Sequence, residues 1–164
     1  EKEELEHLAK QWSVYKTAIE TLNETKRQYQ EKYLVKVIEK QSEIFRSLTG
    51  GKYIKVYPPM EGMPFQVEDE QGTRFVLPEL SQGTIHQLYI ALRLAISIMF
   101  QKTYPFPFII DDAFLHFDSI RLHRMITQIQ KLSETQQVLL FTCKEEIVAS
   151  FSDNDKIILE SQFA

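Results

Sequence analysis

Cysteine is almost absent: Cys143 is the only one, so no intramolecular disulfide can brace the fold. The four histidines, His7, His86, His116 and His123, are scattered and have no cysteine companions at zinc-ligand spacing, so no structural zinc site is expected. No segment keeps the uninterrupted apolar length of a membrane span, and no charged-then-apolar leader opens the chain. A membrane partner is therefore not expected, and a reducing, cytoplasmic setting is. Strong basicity is missing too. The net charge of −4 argues against a large nucleic-acid surface on this piece alone, without deciding whether DNA is a partner. The five glycines include no run ending in Gly-Lys-Ser or Gly-Lys-Thr, so the loop that cradles the β- and γ-phosphates in P-loop proteins is not here. The chain begins with Glu1 rather than Met and is expected to be part of a longer polypeptide.

What is present fits one compact core: 164 residues, 43% hydrophobic and 26% charged. From Glu1 to about Leu48 there is no helix breaker, and Glu, Lys and Gln dominate, which predicts one long helix. Leu5, Leu8, Trp12, Tyr15, Ile19, Leu22, Tyr29 and Tyr33 follow three- and four-residue steps, interrupted where Lys26 occupies the seam. From Leu34 the apolar set moves to Leu34, Val37, Ile38, Ile44, Phe45 and Leu48, a broader face. Such a helix would reach on the order of 70 Å, longer than this core needs, so its front end is expected to protrude as a coiled-coil stub over 1–49. Gly50 and Gly51 stop it.

The remainder, 50–164, reads as an α/β lobe. Lys52 to Tyr57, Phe65 to Glu68 and Thr73 to Leu77 predict an antiparallel meander punctuated by Pro and Gly. A buried helix follows from Thr84 to about Gln101. Phe108 to Ile110 reads as a strand covered on both faces. After it come a helix from about Ser119 to Ser133, a strand from Val138 to Thr142, a short helix from Glu145 to Phe151 and a last strand from Lys156 to Glu160. Alternating strands and helices are the grammar of a parallel α/β sheet.

Two groups of residues carry chemistry. In Leu80-Ser81-Gln82-Gly83-Thr84, directly before the buried helix, the unpaired amides of a helix start could face a phosphate, or Ser81 or Thr84 could simply cap the helix with Gly83 easing the turn. Asp111 and Asp112 end the apolar strand at the sheet edge where α/β proteins bind ligands. Adjacent acids there favour a cation, and Mg2+ needs only one or two carboxylates beside phosphates. Because side chains alternate along a strand, one acid could serve the metal and the other an attacking water.

LSQGT, then QLYIALRLAI, PFIIDD, AFLHFD and QVLLFTC, taken in that order, resemble the C-terminal lobe of the ABC-type ATPase heads of SMC, RecF, RecN and SbcC proteins, and in particular the YhaN-like branch of bacterial coiled-coil ATPases. The match runs from about Leu77 to Glu146. The resemblance implies that Ser81, Gln82, Gly83 and Thr84 form the signature motif, which contacts the γ-phosphate of ATP held on the opposite head. It makes Asp111 the Walker B aspartate supporting Mg2+, and Asp118 the aspartate of the D-loop, a residue that could also cap the next helix. Asp112 falls where relatives carry the glutamate that polarises the hydrolytic water, a shorter acid than the family's. Thr142-Cys143-Lys144 stands where a switch histidine is usual; Lys144 could meet a phosphate but is expected to be solvated. In the family the P-loop lies on an N-terminal lobe that returns through an antiparallel coiled coil.

The leading expectation is half of a composite ATPase head. ATP and Mg2+ would be its cofactors, the N-terminal lobe and a second identical head its partners, and DNA repair or chromosome maintenance its setting, with DNA and an associated nuclease as further partners. Two alternatives stay open: an ATP-binding or inactive dimerisation scaffold, and a magnesium-dependent phosphohydrolase or nuclease using Asp111, Asp112 and Asp118.

Overall fold

A computed structural model describes residues 2–59, 62–101, 103–114 and 117–159. The N-terminal helix is α1 (Lys2–Tyr29), continued through a π-helical turn at Gln30–Leu34 into α2 (Val35–Leu48). Glu1, the expected first residue of that helix, lies outside the described residues. The one long helix expected to about Leu48 is thus present over the described residues, with a π turn inside it. Tyr29, Tyr33, Val37 and Gln41 follow one another at steps of four, and on an ideal helix each such step drifts about 40°. The wider π turn takes up that drift and hands the apolar stripe to a new face. α1 buries none of its residues, and Trp12 is 67% exposed. α2 buries Val37, Gln41, Ile44, Phe45 and Leu48.

α2 ends in a Schellman motif: Gly51 N–H donates to Arg46 O at 2.8 Å and Gly50 N–H to Ser47 O at 3.2 Å. Gly50 sits at φ 67, a conformation a side chain resists. The meander follows as β1 (Tyr53–Tyr57), β2 (Gln66–Asp69) and β3 (Arg74–Val76), antiparallel in that order. It packs on α2, with the Phe45 and Tyr53 rings 5.4 Å apart.

α3 (Gln82–Phe100) starts two residues earlier than the periodicity suggested. By length and composition it could cross a membrane, which the sequence reading did not credit. Here it is a core helix, burying Leu88, Ala91, Leu94 and Ala95. Two buried glutamines lash it to α2: Gln41 Nε2 donates to Leu88 O at 3.2 Å and Gln87 Nε2 to Leu48 O at 2.9 Å.

β4 (Phe108–Asp111) and β5 (Val138–Phe141) form a parallel pair joined through α4 (Ser119–Ser133). The expectation that β4 is covered on both faces is corrected: Ile110 is 7% exposed but Ile109 is 60% exposed. The helices reach only one side. α5 is shorter than expected, Glu145–Val148. The last strand is also corrected. Residues 156–159 pair with no strand among the described residues, leaving Ile157, Ile158 and Leu159 exposed, and Glu160 lies outside the described residues. The outer edges of the two-stranded β4–β5 sheet have no further strand partner among the described residues.

Candidate functional site

Ser81 caps α3. Its Oγ accepts the Thr84 N–H at 3.3 Å and lies 2.9 Å from Thr84 Oγ1. One amide at the helix start is thereby satisfied by Ser81. The capping reading of Ser81 therefore holds in this structure, and Thr84 is buried beneath it. Asp118 likewise caps α4, its Oδ1 accepting the Arg121 N–H at 2.8 Å while Oδ2 lies 3.4 Å from Arg121 Nε. The loop before it is staked into the core by Phe114 and Phe117, whose rings stand 5.6 Å apart. Leu115 and His116 of that loop lie outside the described residues.

Ser81, Thr84 and Asp118 line one cavity of about 240 Å3, together with Lys52, Gln87, Arg121 and Arg124. Gln82 and Gly83, the first two residues of α3, do not line it, and the Arg121 guanidinium lies where a Cβ on Gly83 would fall. Asp111 and Asp112 do not line this cavity. They sit at the C-terminal rim of β4–β5, where Asp112 N–H donates to Phe141 O at 3.0 Å. The structure thus brings the signature-like serine and Asp118 together and keeps the acid pair apart from them.

Asp112 has φ 45, the described non-glycine residue with a left-handed backbone. Asp and Asn tolerate that conformation better than longer side chains do. The Cys143 thiol, at the end of β5, lies 3.7 and 3.8 Å from the two Asp112 carboxylate oxygens and is placed to donate weakly to them. Neighbouring Lys144 is not the solvated lysine expected: it is half-buried, and its Nζ donates to Phe114 O at 3.0 Å, tethering the loop that carries Asp118. Asp111 is exposed and its side chain has no hydrogen bond or ion pair among the described residues, so its carboxylate is open to a hard cation that takes one or two carboxylates beside phosphate oxygens. Mg2+ fits that donor.

Sequence reasoning missed Arg121 and Arg124. A signal was available for Arg121, which stands in the first turn of α4, where a cation opposes the helix dipole. It missed the Cys143–Asp112 contact because that contact joins the ends of two strands separated by a helix.

No protein-family model matches the chain. It is 34% identical over 162 residues to the uncharacterized protein YhaN of Bacillus subtilis (strain 168), a match covering 98% of this chain and 17% of YhaN. The chain therefore spans less than a fifth of that relative. An SMC ATPase structure concerned with ATP-driven dimerisation and DNA-stimulated activation superposes with TM-score 0.64 at 20% identity, over 80% of each chain. The Smc head domain with an extended coiled coil from Pyrococcus furiosus, bound to the C-terminal domain of ScpA, superposes with TM-score 0.60 at 18% identity, over 82% of this chain and 35% of that one. The Smc head with coiled coil and joint from Pyrococcus yayanosii gives TM-score 0.60 at 18% identity, over 84% of this chain and 28% of that one. With its parallel strand pair, its meander and its long leading helix, this chain shares the fold of SMC head domains over most of its length and is similar in sequence to part of YhaN.

Proposed function

We propose that the chain is the signature-bearing half of an ATPase head in which two heads clamp ATP between them. The observation that carries this is the separation of the two functional groups: a Ser81-capped helix start opens on one cavity, while Asp111 and Asp112 tip a different part of the lobe. A chain without a P-loop that nevertheless holds both groups suits a composite site. The SMC ATPase described by ATP-driven dimerisation supports the same reading.

In this proposal Ser81, Gln82, Gly83 and Thr84 receive the γ-phosphate of ATP held by a second, identical head. Asp118 sits at the interface between heads. Asp111 holds Mg2+, which when bound neutralises charge on the β- and γ-phosphates. Asp112 accepts a hydrogen bond from the attacking water and orients it, on a backbone conformation that aims its short side chain. Phe114, Phe117 and the Lys144 tether hold Asp118 in place during engagement. The N-terminal lobe supplies the P-loop, and the coiled-coil stub over 1–49 roots in the lobe at 50–164 through α2. The reaction is phosphoryl transfer to water, catalysed mainly by positioning and charge stabilisation. A cytoplasmic role in DNA repair or chromosome maintenance, with DNA and an associated nuclease as partners, belongs to the same proposal.

The test is reconstitution. Coexpressed with the N-terminal lobe of its own polypeptide, the chain should support ATP hydrolysis, and Ser81→Arg or Asp112→Asn should each lower kcat by about 100-fold or more. No hydrolysis, or hydrolysis indifferent to both changes, would sink the reading. The contact of Cys143 with Asp112 favours a second reading, a head that binds ATP and dimerises without turnover. Stable ATP-dependent dimers with no phosphate release would decide for it. A stand-alone metal-dependent phosphohydrolase has less support, because no group of three potential metal ligands forms among the described residues.

A further inference from the structure

The cavity before α3 carries more positive charge than a cap requires. Lys52, Arg121 and Arg124 line it against one carboxylate, Asp118. Two helices also begin at it, α3 at Ser81 and α4 at Asp118, each presenting the positive end of its dipole and neither having an acid in its first turn. Arg121, in the first turn of α4, opposes that dipole and is offset by the Asp118 carboxylate, and Arg124 follows one turn later. Arg121 pairs with Asp118 at 3.4 Å, whereas the half-buried Arg124 side chain has no hydrogen bond or ion pair among the described residues.

Both guanidiniums rest against glycine backbone. Arg121 rests where a Cβ on Gly83 would fall, and Arg124 where a Cβ on Gly50 would fall. Two glycines from different elements thus leave room for two arginines facing one cavity. At about 240 Å3 the space is several times the ~30 Å3 share of a water molecule, enough for a phosphate group and part of a second.

We propose that Arg121 and Arg124 make this cavity a polyphosphate receptor, contacting the terminal phosphates of the nucleotide that Ser81 and Gly83 approach. The inference rests on the composite-head reading only for the source of the nucleotide; the anion chemistry stands on the chain alone. The guanidiniums bind phosphate oxygens by paired charge-assisted hydrogen bonds, and Arg121 exchanges its contact with Asp118 for the ligand. Lys52, resting 5.2 Å from the Tyr53 ring, adds a point charge at the rim.

Arginine side-chain Nε–H resonances of the 15N-labelled chain, followed during titration with inorganic tripolyphosphate, test this directly. Saturable shifts of Arg121 and Arg124 are expected. Arg121→Gln and Arg124→Gln should each weaken binding by about tenfold, and Lys131→Gln, on the exposed far part of α4, should leave it unchanged. Dispersed spectra of each variant confirm folding. The proposal is overturned if the two arginines do not shift, if both variants bind like the parent, or if sulfate binds as tightly as tripolyphosphate. Failure of the reconstituted head to hydrolyse ATP would remove the proposed function and leave this result untouched.

Discussion

Asp112 unites two demands in one side chain. Its φ of 45 disfavours a long residue, and its proposed role asks for an acid. Asp112→Asn should therefore keep the backbone and lose the chemistry, whereas Asp112→Glu keeps the acid and strains the turn. Thermal unfolding should place the Glu variant about 0.5–1 kcal/mol below the Asn variant. That dihedral suits a shorter acid than the glutamate the resemblance led one to expect at this position. Cys143 permits a second experiment. Its thiol is a weak donor, so Cys143→Ala should change turnover of the reconstituted head only a few-fold. A maleimide on the exposed thiol would stand over the Asp112 carboxylate and should abolish turnover, with the alanine variant immune to the reagent. Equal inhibition of both proteins would show that the contact is incidental.

Helix ends and helix pairs decide how the lobe holds its shape. The two buried glutamines look equivalent in sequence, yet their partners differ. Gln87 donates to Leu48 O, a carbonyl in the last turn of α2 that no helical N–H reaches. Gln41 donates to Leu88 O, inside a continuing helix, and its own Oε1 has no partner among the described residues. Gln87→Met should cost about 1–3 kcal/mol by leaving a buried acceptor unsatisfied, while Gln41→Met should cost under about 1 kcal/mol. Chemical denaturation of the two variants checks the ordering; equal losses would refute it. Both pairs join α2, which continues α1, to the helix that Ser81 caps, so movement of α1 would be passed to the start of α3 through α2. Most of these elements were legible in periodicity and breakers: the meander, α3, β4, α4 and β5 fall where the residues predicted. The π turn was legible only as a shift of apolar face at Leu34, because pattern reports phase and not hydrogen bonding. The glutamine pairs were invisible, since each joins residues far apart in the chain.

The whole molecule carries apolar surfaces that it does not cover. Trp12, Leu22 and their neighbours on α1 are exposed, as is the outer face of β4–β5 at Ile109 and Phe141. Such exposure should make the isolated chain self-associate with concentration, and Leu8→Lys with Trp12→Lys should shift sedimentation toward monomer. A monomer at every concentration would count against the coiled-coil reading of the stripe. Acid sensitivity has a local origin in the meander. The Arg74 guanidinium, then the Tyr57 hydroxyl, hold the Glu68 carboxyl below the usual carboxylate range. With its folded pKa lowered, Glu68 contributes stability that is present above its unfolded pKa and lost as pH falls through the folded one. Glu68→Gln should flatten that loss in thermal melts between mildly acidic and strongly acidic pH, and an unchanged profile would refute the assignment. The residues alone determined the order of helices and strands, the helix-stopping glycines and the acid tip of β4, because these depend on neighbours in sequence. Tertiary structure decided that Ser81 and Asp118 share a cavity with Arg121 and Arg124, that Cys143 meets Asp112, and that residues 156–159 form no strand. Those outcomes depend on which surfaces meet in space and which edges find a partner, and no local pattern records either.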